Sequence, residues 1–130
     1  MLEKDFAPYE PSLALKELGF DEPCFAFYNG KFIQSTEFDF DSYNSIDVGH
    51  HPLAPTFSQA FRWLLKNHNL YGIIIPTITM NWTFKTMTVV EDMMEVPPYK
   101  YVDANDYKTP EEAELACLIE LIEIAKENKQ

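Results

Sequence analysis

Residues 107–126, YKTPEEAELACLIELIEIAK, set out a helix start, a buried face and a charged face in one continuous stretch. Thr109 stands where an N-cap belongs. Pro110 suits the first helical position, where its missing N–H costs nothing, and Glu112 falls at the third, completing a T-x-x-E capping box. At about 100° per residue, Ala113, Cys117, Leu118, Leu121, Ile122, Ile124 and Ala125 occupy roughly half the circumference. Glu112, Glu120, Glu123, Lys126 and Glu127 fill the other half. The pattern predicts a surface helix over residues 110–126 laid on a core, with Cys117, Leu121 and Ile124 against a sheet.

Two further helices follow from the same reasoning. In PSLALKELGF the apolar spacing of Ala14, Leu15 and Leu18 is helical, and Gly19 sits where a left-handed C-terminal cap belongs, with Phe20 to pack back on the last turn. Phe57, Ala60, Phe61, Leu64 and Leu65 match the i, i+3, i+4, i+7, i+8 template, and Trp63 lies off that stripe. This second helix starts either with Ala54 as cap and Pro55 first, or with Thr56 as cap and Gln59 as its box partner.

Between the helices the chain reads as strands. CFAFYNGKFIQS is a hairpin around Asn29-Gly30, the pair a type I′ turn favours. That turn pairs Phe27 with Phe32 and Phe25 with Gln34, so Phe25, Phe27 and Phe32 share one face, and Cys24, Ala26 and Ile33 the other. YGIIIPTITM and TFKTMTVV read as two long strands, with Asn81-Trp82 near the turn. Pro76 cannot donate to a ladder, which places it at an edge or a bulge. Residues 36–52 are mostly loop, with EFDFD as a short strand candidate, and a further short strand is expected over residues 99–102.

The result is one α+β domain over residues 1–130: a small antiparallel sheet with two amphipathic helices on one face, an N-terminal short helix and a β-hairpin. The order of its second half, helix–strand–strand–strand–helix, is that of a double-stranded-RNA-binding domain. The chemistry is not, because the last helix opens with Pro110, Glu111, Glu112 and Glu114 where such domains place phosphate-binding lysines.

A net charge of −11 repels nucleic-acid phosphate and anionic lipid and suits a partner with a basic surface. No apolar run is long enough to cross a bilayer, and the opening MLEKDFAPYEP has no apolar h-region, so the expectation is a cytoplasmic chain. Cys24 and Cys117 are then expected to stay reduced and packed.

No motif assembles a catalytic site. Of the four glycines none forms G-x-G, and there is no G-x-S-x-G. Asp39, Asp41 and Asp47 lack the framework of a calcium loop. The one collection resembling metal ligands is His50 and His51, with Asp47 and His68 elsewhere, but adjacent histidines lack the H-x-H or H-x-x-x-H spacing that converges two imidazoles, so a polar loop is the preferred reading. Trp63, Trp82, Tyr99 and Tyr101 are the candidate interaction surface, since aromatics are enriched at interface hot spots. No cofactor is expected.

The strings ALKELGFDEPCFAFY, APTFSQAFRWLLKNHNLY and EVPPYKYV followed by YKTPEEAELACLIELIEI resemble segments of a family of small uncharacterised proteins of Bacteroidales phages and prophages. Residues 36–52 match least. The resemblance carries over no catalytic or binding residue; it implies an accessory protein of a mobile element in the bacterial cytoplasm. The sequence therefore points to a non-enzymatic protein that binds another protein. The alternatives are a small metal-dependent enzyme or metal-binding protein using the Asp47, His50 and His51 loop, or a structural assembly component.

Overall fold

The computed structural model describes residues 3–35, 49–89 and 99–129. The chain divides into two compact units, Met1–Ala60 and Phe61–Gln130. In the first, a single 3-10 turn at Glu3–Asp5 precedes helix α1 (Tyr9–Glu17) and strands β1 (Ala26–Asn29) and β2 (Phe32–Ser35). Helix α1 ends as its sequence requires. Gly19 adopts φ +103, its N–H bonds Lys16 O at 3.0 Å, and the Phe20 N–H bonds Leu15 O at 2.9 Å. These paired bonds satisfy the last carbonyls of the helix, and both Leu15 and Phe20 are buried.

The first hairpin forms with its turn one residue further along than expected. The ladder pairs Asn29 with Phe32, Tyr28 with Ile33 and Phe27 with Gln34, so Gly30 and Lys31 are the central residues. Only Gly30 has positive φ (+64), the pattern of a type II′ rather than a type I′ turn. The other edge of β1 is paired as well. There the Tyr28 N–H donates to Pro52 O at 2.8 Å, and the Ala54 N–H donates to Ala26 O at 2.9 Å. Each partner moves by two residues, so the faces survive: Ala26 and Tyr28 are buried, while Phe32 is 78% and Phe25 43% exposed. Phe6, Ala26, Tyr28 and Ala54 form the core of this unit, with Tyr9 and Ile33 packed against it. The Tyr28 hydroxyl (2.7 Å) and the Ser12 hydroxyl (3.1 Å) both donate to Ala7 O, which anchors the N-terminal segment to that core. The EFDFD segment lies outside the described residues.

Helix α2 (Phe57–His68) carries the chain from the first unit into the second. Of the two expected starts, Thr56 is the cap: its hydroxyl accepts from the Gln59 N–H at 3.2 Å. The Gln59 side chain does not close the box. It donates instead to Pro23 O at 2.6 Å.

In the second unit, Asn69 alone, at φ +57, connects α2 to β3 (Leu70–Pro76). Strands β4 (Trp82–Thr88) and β5 (Tyr99–Tyr107) follow, then helix α3 (Pro110–Lys129). The sheet is antiparallel in the order β3-β4-β5, so Pro76 closes an edge strand, where its missing donor costs nothing. Strand β5 is longer than the short strand expected at its start. Its pairing jumps from Phe84↔Val102 to Trp82↔Tyr107, a bulge that takes up the acidic residues between them.

Both helices of this unit lie on one face of the sheet. A Cβ added to Gly72 of β3 would overlap Cys117 Sγ of α3 and stand 3.2 Å from Leu121 Cδ1 and 3.5 Å from Phe61 Cε1 of α2. Around that contact Leu64, Leu70, Phe84, Leu118 and Ile122 are buried. Helix α3 is capped by Thr109 as expected, the Glu112 N–H donating to Thr109 Oγ1 at 3.1 Å, but the Glu112 carboxylate accepts from the Lys108 N–H at 3.2 Å, one residue before the cap that a capping box would use. Among the described residues no buried side-chain nitrogen or oxygen lacks a hydrogen-bond partner.

Candidate functional site: the tip of the β3–β4 hairpin

Residues 77–81 join β3 to β4. The Thr77 N–H donates to Asn81 O at 2.9 Å, and the Met80 N–H donates to Thr77 O at 3.2 Å. Ile78, Thr79 and Met80 thus form a three-residue hairpin loop, whose third position requires the left-handed conformation and is normally glycine. Met80 occupies it, at φ +65. A non-glycine residue there stores strain unless its surroundings hold it.

The surroundings do hold it. Thr77 Oγ1 accepts from the Asn81 N–H at 3.1 Å. Its hydroxyl lies 2.9 Å from Thr79 Oγ1, and the Thr79 hydroxyl lies 3.1 Å from Asp106 Oδ2. A carboxylate only accepts, so Thr79 donates to Asp106, and Thr77 in turn donates to Thr79. The chain of hydroxyls therefore runs one way, from the foot of the turn to the bulged part of β5. That bulge is what brings Asp106 under the tip.

The alternate residues project outward. Ile78 is fully exposed and Met80 is 91% exposed. Trp82, half-buried, stands at the foot of the loop opposite Pro76, the last pair of the ladder. Two aliphatic side chains on a tip with little conformational freedom, over a tryptophan, form a preorganised apolar knob.

The aromatic candidates separate on inspection. Trp82 belongs to this tip. Trp63 does not: it is 6% exposed, with its ring 5.1 Å from that of His68, so it is a core side chain of its unit. Burial foremost, with the Lys129 charge second, holds the His68 imidazole below its usual range. Tyr99 and Tyr101 enter β5 opposite Met87 and Lys85; their side chains lie outside the described set. Ile78 and Met80 escaped the sequence reading because their alternation with Thr77, Thr79 and Asn81 reads as the continuation of the strand YGIIIPTITM, whereas β3 ends at Pro76 and the turn falls on residues 78–80 rather than near Asn81-Trp82.

The histidine loop is only partly described, and Asp47 lies outside it. The rings of His50 and His51 lie 4.3 Å apart and tilted by 35°, the His51 ring is 5.9 Å from that of Phe27, and the Lys16 ammonium donates to the His50 carbonyl. Among the described residues no three His, Cys, Asp or Glu side chains gather as a metal-binding set. Both thiols are free and buried. Burial foremost, then the Glu22 charge, pushes Cys24 up to about 12, against a smaller lowering from its hydrogen bond with Gln59. Burial, then Glu114 and Glu120, pushes Cys117 up to about 12. At neutral pH neither is a thiolate, and a protonated buried thiol is a poor nucleophile or ligand.

No helix of the described residues is long and apolar enough to cross a membrane. No family model, curated protein or solved structure matches the chain.

Proposed function

We propose that this chain is a non-enzymatic binding protein that docks on another protein through the tip of the β3–β4 hairpin. The observation that supports this reading is the placement of Ile78 and Met80, fully or almost fully exposed on a loop whose backbone is fixed by its own threonines and by Asp106. A large apolar residue in a position that favours glycine lowers stability, so its presence argues for use. The net charge of −11 complements the aliphatic anchor, because it steers the chain toward a basic surface and away from nucleic acid and anionic lipid. The phage or prophage resemblance fits this role, as an accessory protein acting on a host or phage partner in the cytoplasm.

The test compares immobilised parent with the double variant Ile78→Ser, Met80→Ser in bacterial lysate at low and at high salt. The expected outcome is a protein retained by the parent, weakened by salt, and lost from the double variant. Anchors of this kind cost about 2 kcal/mol or more when truncated, a loss of roughly thirty-fold in affinity. An identical set of bound proteins on parent and variant refutes the tip as the docking element.

A further inference from the structure

We propose that Met80 is a site of reversible oxidation, and that its sulfoxide switches the hairpin tip from apolar to polar. Thioether oxidation needs access to the sulfur. Met80 is 91% exposed on the outer side of the loop, with its backbone N–H already bonded to Thr77 O. An oxidant therefore reaches it without any opening of the fold. Met87 of β4 provides a contrast in the same hairpin, half-buried in the ladder opposite Tyr71 and Tyr99.

The step balances with a hydroperoxide as the oxidant. Its O–O bond breaks, one oxygen forms the S–O bond on Met80, and the remaining oxygen leaves as water, or as an alcohol from an alkyl hydroperoxide. Sulfur is oxidised by two electrons and the peroxide is reduced by two. A methionine sulfoxide reductase with a dithiol donor reverses it, releasing water and a disulfide.

The product is chiral and polar where the parent side chain was apolar, and at a tip that presents only Ile78 and Met80 it removes half of the aliphatic surface. The fold should not respond, because the turn is held by Thr77, Thr79 and Asp106, none of which the oxygen touches. The effect on docking rests on the reading of the tip as the docking element. The identity of the oxidised residue does not.

Cleavage after Lys66 and Lys85 leaves Met80 as the sole methionine of its peptide, so mass spectrometry can follow its sulfoxide directly through a hydrogen peroxide time course. The expected result is formation at the rate of an unstructured methionyl peptide and about ten-fold or more faster than at Met87, with full reversal by reductase. Equal rates at Met80 and Met87 overturn the site. The parent, once oxidised, should lose the protein whose retention depends on Ile78 and regain it after reductase treatment, while whatever retention Met80→Leu shows should be the same before and after peroxide. Retention that depends on Ile78 yet survives Met80 sulfoxide overturns the switch and leaves the docking reading standing. Absence of any Ile78-dependent retention sinks the docking reading and with it the switch, while the peroxide kinetics still decide the site.

Discussion

Gly72→Ala is the sharpest test of how α3 sits on its sheet. The residue lies in mid-strand opposite Thr86, and its φ is ordinary, so it is not glycine for the sake of a turn. What it provides is room for Cys117. A methyl group there overlaps Cys117 Sγ and presses Leu121 Cδ1 at 3.2 Å, and both side chains are fully buried on a helix fixed at its start by the Thr109 cap. Overpacking of this size costs about 1–3 kcal/mol. Alanine recovers roughly 0.5–1 kcal/mol through the smaller entropy of its unfolded chain. The net expectation is a loss of about 1–2 kcal/mol, read as a lower urea midpoint at unchanged m. Cys117→Ala alone should cost about 1 kcal/mol for the sulfur it removes. In that background the methyl group added by Gly72→Ala occupies the vacated space, so the double variant should recover about 1–2 kcal/mol relative to the sum of the single changes. Thiol labelling supplies a second readout, since Gly72→Ala should expose a thiol that the parent shields. An equal penalty for Gly72→Ala with and without the sulfur would show that α3 does not seat Cys117 over this glycine, and the packing account would fall.

Leu121→Ala should cost roughly 2–5 kcal/mol by thermal melting, Thr109→Ala about 1 kcal/mol and Glu123→Ala almost nothing; a reversal of the first and last would mean the helix faces are assigned backwards. Replacing Met80 by glycine relieves the left-handed backbone and should raise stability by about 0.5–1 kcal/mol while abolishing Met80-dependent retention, and a marked fall in the urea midpoint would contradict the strain argument. The two thiols stay protonated in the fold up to about 12, whereas in the unfolded chain they ionise near 9. The unfolded state therefore gains by losing protons as pH rises, so the stability they contribute is complete below about pH 8.5 and is lost between about pH 9 and 12. The slope is at most about 1.4 kcal/mol per pH unit for each thiol, and Cys117→Ala should flatten the fall measured by urea titration between about pH 9 and 10.5; an unchanged slope would show that Cys117 ionises freely in the fold.

The α+β architecture was legible wherever local chemistry and burial agree. Helix α3 carries its cap and its stripe in adjacent residues, and Gly19 with Phe20 marks the end of α1 for the same reason. Register was less legible, because it depends on partners distant in the chain. Asn29-Gly30 favours a turn centred on itself, yet the ladder centres it on Gly30-Lys31, and because the two registers differ by two residues the burial of Ala26 and Tyr28 does not distinguish them. Strand β5 looked short because its acidic stretch resembles loop, and only the ladder to β4, with its bulge, makes it a strand. Trp63 is off the helical stripe of α2 but is buried against His68, a contact no spacing rule anticipates. The tip was hidden for the opposite reason. Its turn has no glycine at the left-handed position, so the usual signal is missing where the structure places its most exposed apolar groups.

Within residues 77–81 the work of holding the loop and the work of facing outward fall on alternating positions. Thr77, Thr79 and Asn81 supply the hydrogen bonds, and Ile78 and Met80 supply none through their side chains. A change at Ile78 therefore leaves the scaffold intact and is filtered by what the tip meets, whereas position 80 must also accept the left-handed backbone, which excludes proline and disfavours β-branched residues. Such an arrangement lets a lineage explore new partners by single substitutions at Ile78 without first acquiring extra stability. It also predicts where a laboratory library would be most productive: randomising position 78 fully and position 80 among residues that accept a left-handed backbone, while keeping both threonines and Asp106 fixed.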